Sequence, residues 1–136
     1  MVAGTIRVLT PSPGFAVTDA PLPYAGVIKY YEKLGSRLGY DWIMGGSKHF
    51  GLYPDGVANI SEAQAQLLQQ DRVHAELRCA RGARVMDAGC GQGVVSTYLA
   101  QKYGLNVSGV TVVPFEVERA RERAAKLGVQ ALTAYS

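Results

Sequence analysis

The sequence predicts an α/β fold, the first strands of a parallel sheet preceded by a helical cap, and three stretches carry that reading. Arg84-Val85-Met86 is too short a run for a helix and stops at Asp87, after which glycine stands at every second position, Gly89, Gly91 and Gly93. That is a strand breaking into a loop. From Val94 the apolar residues Val94, Val95, Tyr98 and Leu99 take the spacing of one helix face, which closes near Gly104. Residues 106–113, with Val107, Val110 and Val112, then read as a second strand. A strand, a crossover helix and a second strand imply parallel pairing with a right-handed crossover.

The remaining elements follow in order. Residues 1–23 hold four of the six prolines, Pro11, Pro13, Pro21 and Pro23. Each removes a backbone donor and biases its predecessor away from helix, so this is an extended arm with at most a short strand at 6–9. Residues 24–80 form the helical cap and lid segment. Val27, Ile28, Tyr31, Leu34 and Leu38 predict an amphipathic helix over 24–38. Residues 39–59 are rich in glycine and aromatics, a composition that suits a lid over a ligand. Ser61-Glu62-Ala63-Gln64 is a capping box, so a helix runs from Glu62 to about Cys79. His74 on that helix takes a solvent or packing role. Residues 81–136 begin with the turn Arg81-Gly82-Ala83 and carry both strands described above. They continue through a helix over 115–127, with Pro114 at its start and Gly128 as its left-handed cap, and into a third strand over 129–133.

Composition narrows the function classes. The 136 residues are 48% hydrophobic and 18% charged, enough for one domain with a core and too apolar for a disordered tail. Net charge is +3, and the densest basic group, Arg119, Arg121, Arg123 and Lys126, alternates with Glu116, Glu118 and Glu122. A solvated helix face is implied, and nucleic acid is excluded as a partner. Cys79 is expected on a helix and Cys90 in the glycine loop, so they form no disulfide framework and suggest a reducing, cytoplasmic setting. There is no 18-residue apolar run and no basic start with an apolar core, so no membrane span or signal peptide is expected. No set of metal ligands is read.

The chemistry lies in the glycine loop. Glycines there take positive φ and let a ligand approach the backbone, while the first N–H groups of the next helix await partners. A nucleotide-like ligand is implied. A dinucleotide fingerprint counted from Gly89 would need its third glycine at position 94, which is Val94. Asp87-x-Gly89-x-Gly91-x-Gly93 instead resembles motif I of the class I S-adenosylmethionine-dependent methyltransferases, whose domain is a Rossmann-like parallel sheet. Cys90 and the run Gly109-Val110-Thr111-Val112-Val113-Pro114 are similar, more narrowly, to the branch of cyclopropane-fatty-acid synthases and tocopherol-type small-molecule methyltransferases.

That resemblance implies S-adenosylmethionine as cofactor. Asp87 would steady the loop and the methionine end. Gly89, Cys90, Gly91 and Gly93 would let the backbone approach, and Thr111, Val112 and Glu116 would hold ribose and adenine. Most Rossmann-type folds place a ribose-binding acid at the end of the second strand, where this chain has Thr111. The branch it resembles has glutamine five residues after the threonine, and here Glu116 stands there. Lys48-His49-Phe50-Gly51-Leu52-Tyr53 is similar to a segment that closes over the cofactor, making His49 and Phe50 further contacts. No general base is identifiable, and the acceptor is expected to be a small apolar or lipid-like molecule. Members of the family continue through four more strands. The chain is therefore expected to be the first half of such a protein, completed by a missing carboxyl-terminal half or by a second chain. Two alternatives stay open, a non-catalytic interaction module and half of a nicotinamide-dependent oxidoreductase. The second would want glycine at 94 and an acid at 111.

Overall fold

The computed structural model describes residues 25–32, 49–56 and 59–136. The predicted arm over 1–23, with its strand at 6–9, lies outside the described residues. So do residues 33–48, which include the end of the first predicted helix and much of the lid. Helix α1 spans Ala25–Glu32 and α2 spans Glu62–Leu77. Strand β1, Arg84–Ala88, is followed by helix α3, Val94–Tyr103, strand β2, Asn106–Val110, helix α4, Pro114–Lys126, and strand β3, Thr133–Tyr135.

The strands form one parallel sheet in the order β1-β2-β3, the expected Rossmann-like arrangement. The register pairs Val85 with Val107 and Thr133, and Asp87 with Gly109 and Tyr135. Paired residues in a parallel sheet share a face, so these six point the same way. Leu99 and Ala100 of α3 and Ala120 and Ala124 of α4 pack on that face with Leu105, Val107 and Tyr135 to make the core. The other face carries Met86, 72% exposed, with Ser108 and Ala134 also exposed.

Three boundaries differ from the sequence reading. Strand β2 ends at Val110 because Val113 turns inward, 2% exposed, to precede α4, and its N–H donates to Thr111 Oγ1 at 3.3 Å. Strand β3 begins only at Thr133. Val129, apolar enough to suggest a strand, is instead a buried plug in the turn where Leu132 N–H donates to its carbonyl at 2.9 Å. Cys79 lies beyond α2, which Arg78 ends in the left-handed conformation.

The capping box of α2 is present as expected, with Ser61 and Gln64 bonded reciprocally. None of the residues of α2 belongs to the hydrophobic core cluster, and Leu67, Val73 and Leu77 are exposed. Polar contacts attach it instead. Asp71 Oδ1 accepts from Tyr98 at 2.5 Å and Tyr103 at 2.7 Å, and Lys102 Nζ donates to both carboxylate oxygens at 2.8 Å. His74 stacks on Tyr103, centroids 3.5 Å apart, a packing role as expected. Burial alone would push the Asp71 carboxyl up, but donation from Lys102, Tyr103 and Tyr98 outweighs it and holds the group below its ordinary value. A lowered folded pKa contributes stability above the unfolded value of about 3.9 and loses it as pH falls through the folded value. The stability difference between wild type and Asp71→Asn, from urea unfolding, should therefore be constant between pH 5 and pH 8. It should shrink only as pH falls below about 4.

Candidate functional site

Local rules place the glycine loop at the carboxyl ends of β1 and β2. Strand β1 stops at Ala88, and the N–H groups of Gly89 and Cys90 both donate to the carbonyl of Val110, at 2.9 and 3.0 Å. The loop is thereby stitched to the end of β2. Gly89 and Gly91 take φ of +83° and +53°, a region that costs a side chain free energy and costs glycine little. A Cβ at Gly89 would meet nothing within 4 Å, and at Gly91 only Glu116 Oε2 at 4.0 Å. Open space therefore flanks the loop backbone. From behind, Ser96 in the first turn of α3 donates to Asp87 Oδ2 at 2.5 Å and ties the strand end to the helix.

The facing wall comes from the start of α4. Pro114 opens that helix, its missing N–H costing nothing in the first turn. Glu116 follows in the same turn, where a negative charge is favoured by the helix dipole. It is 2% exposed, and Oε2 accepts from Thr111 Oγ1 at 2.9 Å. Between the walls lies a cavity of about 360 Å³, lined by Gly89, Gly91, Val110, Thr111, Val112, Val113 and Glu116. A carboxylate on one side and accessible loop backbone on the other can bind a ligand that offers hydroxyl donors to the first and acceptors to the second.

Five of the residues singled out from the sequence, Gly89, Gly91, Thr111, Val112 and Glu116, line this cavity together. Asp87, Cys90 and Gly93 support it from behind. Gly93 caps α3, and Cys90 is 8% exposed against the core. His49 and Phe50 do not line it. Gln66 and Gln70 of α2 hold His49, through its carbonyl and its Nε2, both at 3.2 Å, and Phe50 is 84% exposed. Ser96 escaped the sequence reading. Its signal was a hydroxyl in the first turn after the loop, the one turn from which a short side chain reaches back to Asp87.

Burial, reinforced by the carboxylates of Asp87 and Glu116, pushes the Cys90 thiol up to about 11. At pH 8 roughly one molecule in a thousand would then carry the thiolate that reacts with alkylating reagents. Iodoacetamide should modify the half-buried Cys79 first and leave Cys90 intact until the chain unfolds. Peptide mapping of the native and urea-unfolded protein checks this.

Comparison with known proteins agrees with the geometry. The family model for mycolic acid cyclopropane synthetase matches residues 50–134. The S-adenosyl-L-methionine-dependent Diels-Alderase iccD of Talaromyces variabilis is 39% identical over 98 residues, 71% of this chain and 33% of that protein. The chloroplastic tocopherol O-methyltransferase of Arabidopsis thaliana is 29% identical over 120 residues, 81% of this chain and 34% of that protein. The chain thus spans about a third of the length of either relative. Among solved structures, the [4+2]-cyclase SpnF superposes with a TM-score of 0.71 at 24% identity over 81% of this chain and 40% of its own, a likeness of fold. A family match across the glycine loop and both cavity walls settles the kinship: the chain belongs to the mycolic acid cyclopropane synthetase family.

Proposed function

We propose that the cavity over the glycine loop is an S-adenosylmethionine site, and that the protein transfers the cofactor's methyl group to a small apolar acceptor. The observation that carries this reading is the buried Glu116–Thr111 pair facing Gly91 across the cavity. A carboxylate there can accept from the two neighbouring hydroxyls of a ribose, while the loop backbone approaches the amino acid end. The residues fit a nucleoside whose ribose hydroxyls reach Glu116. NAD is disfavoured by the loop, which has Val94 where a dinucleotide fingerprint needs its third glycine.

When bound, the cofactor supplies an already activated methyl group, so the protein contributes binding, orientation and exclusion of water. Glu116 and Thr111 fix the ribose end. Asp87, held by Ser96, keeps the loop in the shape that receives the methionine end. Val110, Val112 and Val113 supply apolar surface for a flat base. Tocopherol methylation by a relative supports an apolar acceptor. Among the described residues, Met86, Ser108 and Ala134 are exposed on the other sheet face, which supports further elements of the same or a second polypeptide covering it. Calorimetric titration tests the reading. S-adenosylhomocysteine should bind and NAD should not, and binding of neither would overturn it.

A second reading is favoured by the similarity to a Diels-Alderase dependent on the same cofactor. In that case the site binds S-adenosylmethionine while the enzyme closes a ring. Methyl-labelled cofactor distinguishes the two, because only transfer moves the label into product.

A further inference from the structure

Residues 49–53 are fastened to α2 by a set of bonds that leaves them little independent freedom. Leu52 N–H donates to the Ala65 carbonyl at 2.8 Å, and Gly51 N–H donates to Glu62 Oε1 at 3.1 Å. The Tyr53 hydroxyl donates to the other oxygen of Glu62. His49 Nδ1 lies 3.0 Å from the Phe50 carbonyl, and its Nε2 lies 3.2 Å from Gln70 Nε2. At Gly51 the approach is close enough that a Cβ would stand 2.3 Å from Ala65 Cβ. The segment and the helix therefore move as one arm.

That arm has little apolar attachment to the domain beneath it. Ala65 is its only fully buried hydrophobic residue among those described, and no residue of α2 enters the core cluster. Among the described residues its firm link is Asp71, whose carboxylate receives Tyr98, Lys102 and Tyr103 of α3. Lys102 also donates to Tyr98 at 2.8 Å and lies over both tyrosine rings, so the acceptor side is itself braced. The first turn of α3 follows the glycine loop directly. A shift of α2 on α3 is thus a shift of residues 49–53 relative to the cavity.

We propose that Asp71 is a positioning residue: its carboxylate, shared by Tyr98, Lys102 and Tyr103, pins the arm of α2 and residues 49–53 against the domain that carries the cavity. The carboxylate is not among the residues that line the cavity. The inference goes beyond the cofactor reading, because the arm's attachment is a property of the unliganded protein.

Amide hydrogen exchange on the unliganded chain tests it. Detached from α3, a 16-residue helix is only marginally stable in water, so in Asp71→Ala the arm should unravel more often and break its bonds to residues 49–53. The amides of Gly51 and Leu52 should then exchange about tenfold faster or more, while those of Asn106 and Val107 in β2 keep their wild-type rates. The double variant Tyr98→Phe/Tyr103→Phe keeps the rings and removes two donors, and should loosen the same two amides selectively. It also serves if Asp71→Ala folds poorly. Unchanged Leu52 exchange in both variants would overturn the proposal. Equal acceleration of β2 would also overturn it, by showing Asp71 to be a general contributor to stability. Neither result depends on the ligand titration, so a failure here and a failure of the cofactor reading are told apart.

Discussion

Gly93→Ala should destabilise the folded chain by about 2–4 kcal/mol, whereas Gly89→Ala, four residues away in the same loop, should cost only about 1 kcal/mol. Both glycines have positive φ, +73° and +83°. Each substitution therefore carries the strain of a side chain in the left-handed region. They differ in what lies beside them. A Cβ at Gly93 would stand 2.9 Å from Ala120 Cβ and 3.0 Å from the Tyr135 hydroxyl, inside the packed layer between loop, α4 and β3. Ala120 is wholly buried and Tyr135 is 6% exposed, so neither has room to retreat. At Gly89 nothing lies within 4 Å. A loss of 2–4 kcal/mol is a large part of a domain's typical stability of about 5–15 kcal/mol, and urea midpoints separate the variants readily. Equal losses at the two positions would mean that Tyr135 and Ala120 do not form the floor beneath the loop. Gly89→Ala should still fold, yet it projects a methyl group into the cavity, so its deficit should appear in ligand binding.

How much of this was legible beforehand depends on the range of the force involved. The strand, loop and helix around Asp87 to Tyr103 were readable because chain stiffness and hydrogen-bond satisfaction act over a few residues, and glycine at every second position disfavours both helix and strand and so marks a loop. The same holds for α2, whose capping box is a contact between Ser61 and Gln64. Readability fails where an apolar residue serves a distant partner. Val113 has high strand propensity, but the core takes it, and its inward turn ends β2 three residues early. Val129 is likewise drawn under the helix-to-strand turn. Asp71 is the extreme case. In sequence it is one polar residue on a polar helix face, and its partners lie 27, 31 and 32 residues away on α3. Only tertiary packing brings them together. The cavity shows both regimes at once: the resemblance pointed to Thr111 and Glu116, but the bond between them, which aims the carboxylate, is seen only in three dimensions.

Glu116→Ala should weaken binding of S-adenosylhomocysteine about ten- to hundredfold, because it removes a charged acceptor where the proposed ribose lies. Hydrogen bonds to charged groups contribute about 1.5–3 kcal/mol net, which corresponds to that span. Glu116→Gln keeps the shape and one acceptor oxygen while losing the charge and the second acceptor, so its deficit should be about tenfold or less. Thr111→Val removes the donor that orients Oε2 at 2.9 Å while leaving the carboxylate in place, and should fall between wild type and Glu116→Ala. The three variants rank by how much of the acceptor survives, an order that simple disruption of the fold would not produce. Stability separates the effects further. Glu116 sits in the first turn of α4, where the helix dipole favours a negative charge by about 0.3–1 kcal/mol, so its removal leaves the chain folded at 25 °C. Titration calorimetry beside urea unfolding gives both quantities. Wild-type affinity in Glu116→Ala would place the ribose away from this carboxylate and require another acceptor for its hydroxyls.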